Sequence, residues 1–191
     1  MLAYFQIGNC TTQIVMFGDS LVAGYGVSPE ESLPSKLEKF LKDKGEDVAI
    51  INSGVSGNTT TDGLARMDNV IGLKPNYVII VLGGNDMLRG YNPKITYDNL
   101  EKIIVKFKEE KIKIILTKVK AATNYGPFYK EKFEQVYDEL EDKYSLDTIP
   151  FFMEYVINNP TSMQSDGIHP NTKGVDIIVS KIGPMILKII D

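Results

Sequence analysis

Four consecutive apolar residues, Ile14, Val15, Met16 and Phe17, run directly into Gly18, Asp19 and Ser20. A strand sends alternate side chains to opposite faces, so a stretch apolar on both fits a strand covered on two sides inside a parallel sheet. The residues after it then lie at the strand's carboxyl end, where open parallel α/β sheets hold their ligands. Ser20 is therefore placed where such folds do chemistry. Gly-Asp-Ser also suits a plain turn followed by a helix cap, so the tripeptide decides nothing alone.

The same alternation of strand, loop and helix continues along the chain. Leu33, Leu37, Phe40 and Leu41 recur at helical spacing and predict a helix over 33–44, stopped by Gly45. Residues 48–51 predict a short strand entering the small-residue loop 52–60, and Leu64, Met67 and Ile71 predict a helix over 62–71. Residues 77–82 are almost wholly apolar and predict the central strand, which leads into the loop Gly83-Gly84-Asn85-Asp86. Helices over 96–110, 130–144 and 175–190 alternate with strands over 112–117 and 148–153, the last weakened by Pro150 and so placed at an edge. This pattern predicts the α/β class: a three-layer α/β/α sandwich with a five-stranded parallel sheet and right-handed crossovers. With 191 residues, 43% hydrophobic content and no Ser, Gly or Pro-rich divider, one domain is expected over 1–191. Residues 1–12 read as a tail, in which Tyr4-Phe5-Gln6 resembles part of a protease-site scar from an expression vector.

Charge and residue counts narrow the function. The net charge of −4 and the lack of a basic cluster argue against a nucleic-acid partner or a polybasic membrane anchor. Cys10 is the only cysteine and His169 the only histidine. A CxxC site and a multi-histidine metal site are both excluded, and no metal or other cofactor is expected. No segment approaches the roughly 18 apolar residues of a membrane span, and the first residues lack the layout of a signal peptide. The chain as given reads as cytoplasmic, and as periplasmic or secreted if a leader has been removed. Oligomeric state stays open, a monomer being compatible with the sequence.

In a parallel sheet the loops that follow strands gather on one side. Ser20, Gly57, Asn85 and the segment from Asp166 to His169 all lie on such loops. A serine hydroxyl is a weak nucleophile without a base, and an imidazole base needs a carboxylate to fix its tautomer. Ser20, His169 and Asp166 supply these three types. The oxyanion needs preorganised donors, for which the Ser20 and Gly57 amides and the Asn85 side chain are suited. Asp19 reads as a structural hydrogen-bonding residue beneath Ser20.

GDSL at Gly18 to Leu21, GVSGNTT at Gly54 to Thr60, GGND at Gly83 to Asp86 and DGIHP at Asp166 to Pro170 resemble, in order, the four sequence blocks of the SGNH or GDSL hydrolases. The resemblance implies a flavodoxin-like fold, Ser20 as nucleophile, His169 as base, Asp166 as its partner, and Ser20, Gly57 and Asn85 as the oxyanion hole. Gly63-Leu64-Ala65-Arg66 and Leu88-Arg89-Gly90 are similar to the bacterial thioesterase I, lysophospholipase and arylesterase branch, which implies fatty-acyl or aryl esters and thioesters as small-molecule substrates. Met87, Leu88, Tyr91 and Ile168 are the expected substrate-binding residues, with Tyr25 and the segment 119–128 as further groove candidates. A carbohydrate O-acetylesterase of the same superfamily shares the triad and stays open as an alternative. So does a flavodoxin-like module binding an anion or nucleotide at Gly-rich loops, although no GxxxxGK[ST] loop is present.

Overall fold

The computed structural model describes residues 11–191. Cys10 and Tyr4-Phe5-Gln6 lie outside the described residues. Thr12, expected in the tail, instead opens the first strand, its amide donating to Asp47 O at 2.8 Å.

Five strands, β1 (Thr12–Gly18), β2 (Val48–Gly54), β3 (Tyr77–Val81), β4 (Lys113–Thr117) and β5 (Asp147–Ile149), pair in parallel in the order β2-β1-β3-β4-β5. After β1 the chain runs to β2 on one side, then crosses to β3 on the other. Neighbouring connections therefore depart in opposite directions between β1 and β3, which opens a crevice at their carboxyl ends. The expected α/β fold and its central strand β3 are observed.

Among the described residues seven helices cover the sheet: α1 (Ser20–Ala23), α2 (Leu33–Asp43), α3 (Thr60–Gly72), α4 (Gly84–Leu88), α5 (Pro93–Glu109), α6 (Pro127–Tyr144) and α7 (Thr172–Ile190). Ile14, Met16, Ile79 and Ile115 pack with residues of α2 and α7 on one face; Val15, Phe17, Val78 and Ile80 pack with residues of α5 and α6 on the other. The unbroken apolar runs of β1 and β3 thus serve two cores at once. A side chain fully buried this way contributes about 1.5–3 kcal/mol.

Among the boundaries that differ from expectation, three have a clear local reason. Helix α3 begins at Thr60 because Thr59 and Asp62 form a capping box, a polar signal that hydrophobic spacing does not register. The segment after β3, expected as a loop, turns at Gly83 (φ 108°) straight into α4. Strand β5 stops at Ile149, before Pro150 removes a ladder donor, and residues Phe152–Tyr155 wind into a 3-10 turn instead.

Candidate active site

Strand β1 delivers Ser20 through a tight turn. Asp19 caps α1, its Oδ1 accepting from Leu21 N at 3.0 Å, so Ser20 occupies the first helical position. Two glycines let this turn sit against the sheet. A Cβ on Gly54, at the end of β2, would lie 2.2 Å from Ala23 N, and one on Gly18 would lie 2.7 Å from Val81 O. Backbone packing at this edge leaves Ser20 half-buried at the crevice.

His169 arrives from the opposite end of the sequence. Asp166 Oδ1 accepts from the amides of Ile168 (2.9 Å) and His169 (3.0 Å), folding the loop about its own side chain. Asp166 Oδ2 lies 2.7 Å from His169 Nδ1, and His169 Nε2 lies 2.8 Å from Ser20 Oγ. With Nδ1–H donating to the carboxylate, Nε2 is the acceptor and the Ser20 hydroxyl donates to it. The backbone and side-chain hydrogen bonds from His169 and the Ile168 amide hold the Asp166 carboxyl down at about 2, so it remains a carboxylate across the working pH range.

Asn85 sits in the first turn of α4, its Nδ2 donating to Asn58 O at 3.0 Å and facing Asp19 Oδ2 at 3.4 Å. Gly57 occupies the third position of a turn closed by Asn58 N to Val55 O at 3.1 Å, with φ 82°. Glycine is needed there for its backbone rather than for space, since a Cβ would meet only Arg89, at 3.9 Å. Among the described residues neither the Ser20 nor the Gly57 amide donates to a protein acceptor. Arg66 binds this region from behind: Nε reaches Asn58 Oδ1 (2.6 Å), Nη1 reaches Ser53 O (3.0 Å), Nη2 reaches Gly18 O (2.7 Å), and the guanidinium lies 4.4 Å from the Phe17 ring. Asp86, fully buried, accepts from Thr60 N at 2.8 Å and so ties α4 to the start of α3.

Asp19 is 3% exposed, and burial pushes its carboxyl up to about 6, against the hydrogen bond from Leu21 and the charge of His169, which pull it down. A carboxyl raised from about 3.9 in the unfolded chain favours the folded state while protonated; that contribution is complete below about pH 4 and is lost as pH rises through 6. The shift corresponds to about 3 kcal/mol. Asp19→Asn keeps an acceptor for Leu21 N without ionising. Its unfolding free energy relative to the parent protein should therefore rise by up to about 3 kcal/mol between pH 4 and pH 8. Urea melts at the two pH values check this; a pH-independent difference would mean the carboxyl ionises as freely folded as unfolded.

Beside Ser20 and Asn85 opens a cavity of about 360 Å³. Its walls are mostly apolar: Val81 and Leu82 at the end of β3, Met87 and Leu88 on α4, Val119 and Ala122 after β4, and Phe151, Phe152, Met153 and Ile157 after β5. Of the expected substrate-binding residues, Met87, Leu88 and Ile168 line it. Tyr91 does not: its amide bonds to Asp86 O and its carbonyl accepts from the Tyr129 hydroxyl, outside the cavity. Tyr25 lies against His169 instead, and Phe128 stands exposed in a groove between α5 and α6. The Phe151 to Met153 wall was not foreseen, because an apolar triplet after a strand pattern reads as more strand. Among the described residues, no cluster of three His, Cys, Asp or Glu side chains is arranged to hold a metal ion. No described helix is long and apolar enough to cross a membrane.

The GDSL-like Lipase/Acylhydrolase family matches residues 16–177. The chain is 36% identical over 181 residues to an arylesterase of Vibrio mimicus, covering 94% of this chain and 90% of that protein. It is 36% identical over 172 residues to thioesterase 1/protease 1/lysophospholipase L1 of Escherichia coli K12, covering 90% and 81%. The crystal structure of the psychrotrophic esterase EstA from Pseudoalteromonas sp. superposes with a TM-score of 0.90 at 29% identity, over 94% of this chain and 98% of that one. A serine hydroxyl beside an imidazole and a carboxylate, at the crevice of this fold and with these relatives, leads to one conclusion: the chain belongs to the GDSL-like lipase/acylhydrolase family of serine ester hydrolases.

Proposed function

We propose that the chain folds as one catalytic domain in which Ser20 is the nucleophile, His169 the general base and acid, and Asp166 the carboxylate that orients it. The observation that carries this reading is the continuous path from Asp166 through His169 to Ser20, at 2.7 and 2.8 Å, opening into the apolar cavity. His169 takes the Ser20 proton as Oγ bonds to the carbonyl carbon of an ester or thioester. It returns that proton to the departing alcohol or thiol as the carbon–heteroatom bond breaks. Water then attacks the acyl-Ser20, giving its proton to the same imidazole, and the carboxylic acid leaves as Oγ recovers a proton.

The Ser20 and Gly57 amides and the Asn85 side chain receive the oxyanion at each tetrahedral stage. Of the two Asn85 contacts, the 3.4 Å approach to Asp19 is too long to be strong, and it is the one a developing oxyanion displaces. Asn85→Ala is expected to lower kcat by about 10²–10³-fold with a smaller change in KM, measured on a p-nitrophenyl ester. An unchanged kcat would remove Asn85 from this role.

The cavity volume lies near the low end for small-ligand sites, and its walls suit an alkyl or aryl acyl group of modest size. The test is a panel of p-nitrophenyl esters from acetyl to palmitoyl run beside matched acyl thioesters, with a fluorophosphonate to identify the labelled peptide. The expected result is label on Ser20 and a maximum in kcat/KM above acetyl that falls at the longest chains. Acetyl as the best substrate, or label elsewhere, would overturn the reading.

A further inference from the structure

We propose that Tyr25 is a positioning residue that braces the imidazole of His169 against Ser20 and stabilises the imidazolium formed at each proton transfer. The inference rests on His169 acting as the base. The Tyr25 ring lies 4.5 Å from the imidazole centroid, tilted by 39°. The hydrogen bonds at Nδ1 and Nε2 act in the ring plane, and a contact on the ring face adds resistance to out-of-plane tilting. Tyr25 supplies that contact, its ring centroid 4.5 Å from that of the imidazole.

The backbone around Tyr25 is anchored to both partners. The amides of Gly24 and Tyr25 both donate to Ser20 O, at 3.1 Å each. Gln164 Nε2 donates to Tyr25 O at 2.7 Å and to Pro170 O at 3.0 Å, while Gln164 N donates to His169 O at 2.8 Å. Gly24 and Gly26 hold this loop at φ 80° and 76°, and a Cβ at Gly26 would lie 2.1 Å from Gln164 Oε1. One glutamine thus fastens the tyrosine loop to the histidine loop. Yet Tyr25 is 53% exposed, and among the described residues its hydroxyl makes no hydrogen bond. So exposed an aromatic contributes little to the core, whereas its π face beside a transient cation is electrostatically favourable. The other charged groups near the imidazole are Asp166, on Nδ1, and the Asp19 carboxyl beneath Ser20.

The test compares Tyr25→Phe, Tyr25→Leu and Tyr25→Ala by kcat, KM and pH–rate profile on one p-nitrophenyl ester. Phe keeps the ring and is expected to stay within about twofold of the parent kcat. Leu, which keeps bulk without a π face, and Ala are both expected to lower kcat about two- to fivefold with KM unchanged. In both, the acid limb should move to lower pH by about half a unit, because loss of the π face disfavours the cation. Parent-like kcat and profile in Leu and Ala would overturn the proposal, as would a change confined to KM. His169→Ala, run alongside, separates the two failures. If it keeps full activity, the base and the brace fall together; if it is inactive while the Tyr25 variants behave as the parent, the brace alone falls.

Discussion

Ser20→Ala is expected to lower kcat for an acyl ester by about 10⁶-fold and to abolish covalent labelling by a fluorophosphonate. The loss should be this large because the acyl-enzyme route disappears with the hydroxyl, leaving only binding and oxyanion stabilisation to assist direct attack by water. Folding should be unaffected. Ser20 is half-buried, and among the described residues its Oγ hydrogen-bonds to His169 alone, so the alanine protein should match the parent in urea melts. Labelling that persists in the variant would show that the attacking atom belongs to another residue.

The second large loss is expected from His169→Ala, also about 10⁵–10⁶-fold in kcat. This variant is unusually clean, because the chain has only one histidine and no other imidazole is left to stand in. For the same reason, diethyl pyrocarbonate at near-neutral pH should inactivate the parent with one modified histidine per chain. Added imidazole should restore part of the activity of His169→Ala, since the deleted ring leaves a space bordered by Tyr25, Ser20 and the cavity. Activity within tenfold of the parent without added imidazole would exclude His169 as the base.

The candidate site was legible in the sequence to the extent that chemistry restricts residue type. A single histidine left one choice of base, and strands rich in Ile and Val announced which loops share an edge. The loop between residues 158 and 171 follows no strand directly, yet Asp166 Oδ1 binding the amides of Ile168 and His169 is local and could be anticipated from Asp-Gly-Ile-His. What spacing could not reveal was the cavity. Tyr91 and Leu88 look equally available in the sequence, but the turn at Gly90 sends one carbonyl toward Tyr129 and leaves the other side chain at the cavity. Phe151 to Met153 carry the same hydrophobic signal as a strand, and only the missing amide of Pro150 diverts them into a wall. The capping box at Thr59 and Asp62 was equally silent, because helix-initiating polar contacts have no hydrophobic period.

The three hydrogen-bonding nitrogens of Arg66 are directed at Gly18, Ser53 and Asn58, and none of them faces the apolar wall contributed after β5. In the proposed reading, Arg66 braces the loops that carry Ser20 and the oxyanion donors while the wall after β5 receives the acyl group, so the two tasks fall to different residues. An engineer who wants a different substrate range would start at Phe151 and Ile157, the wall residues after β5 that are not fully buried, while leaving 18, 53, 58 and 66 untouched.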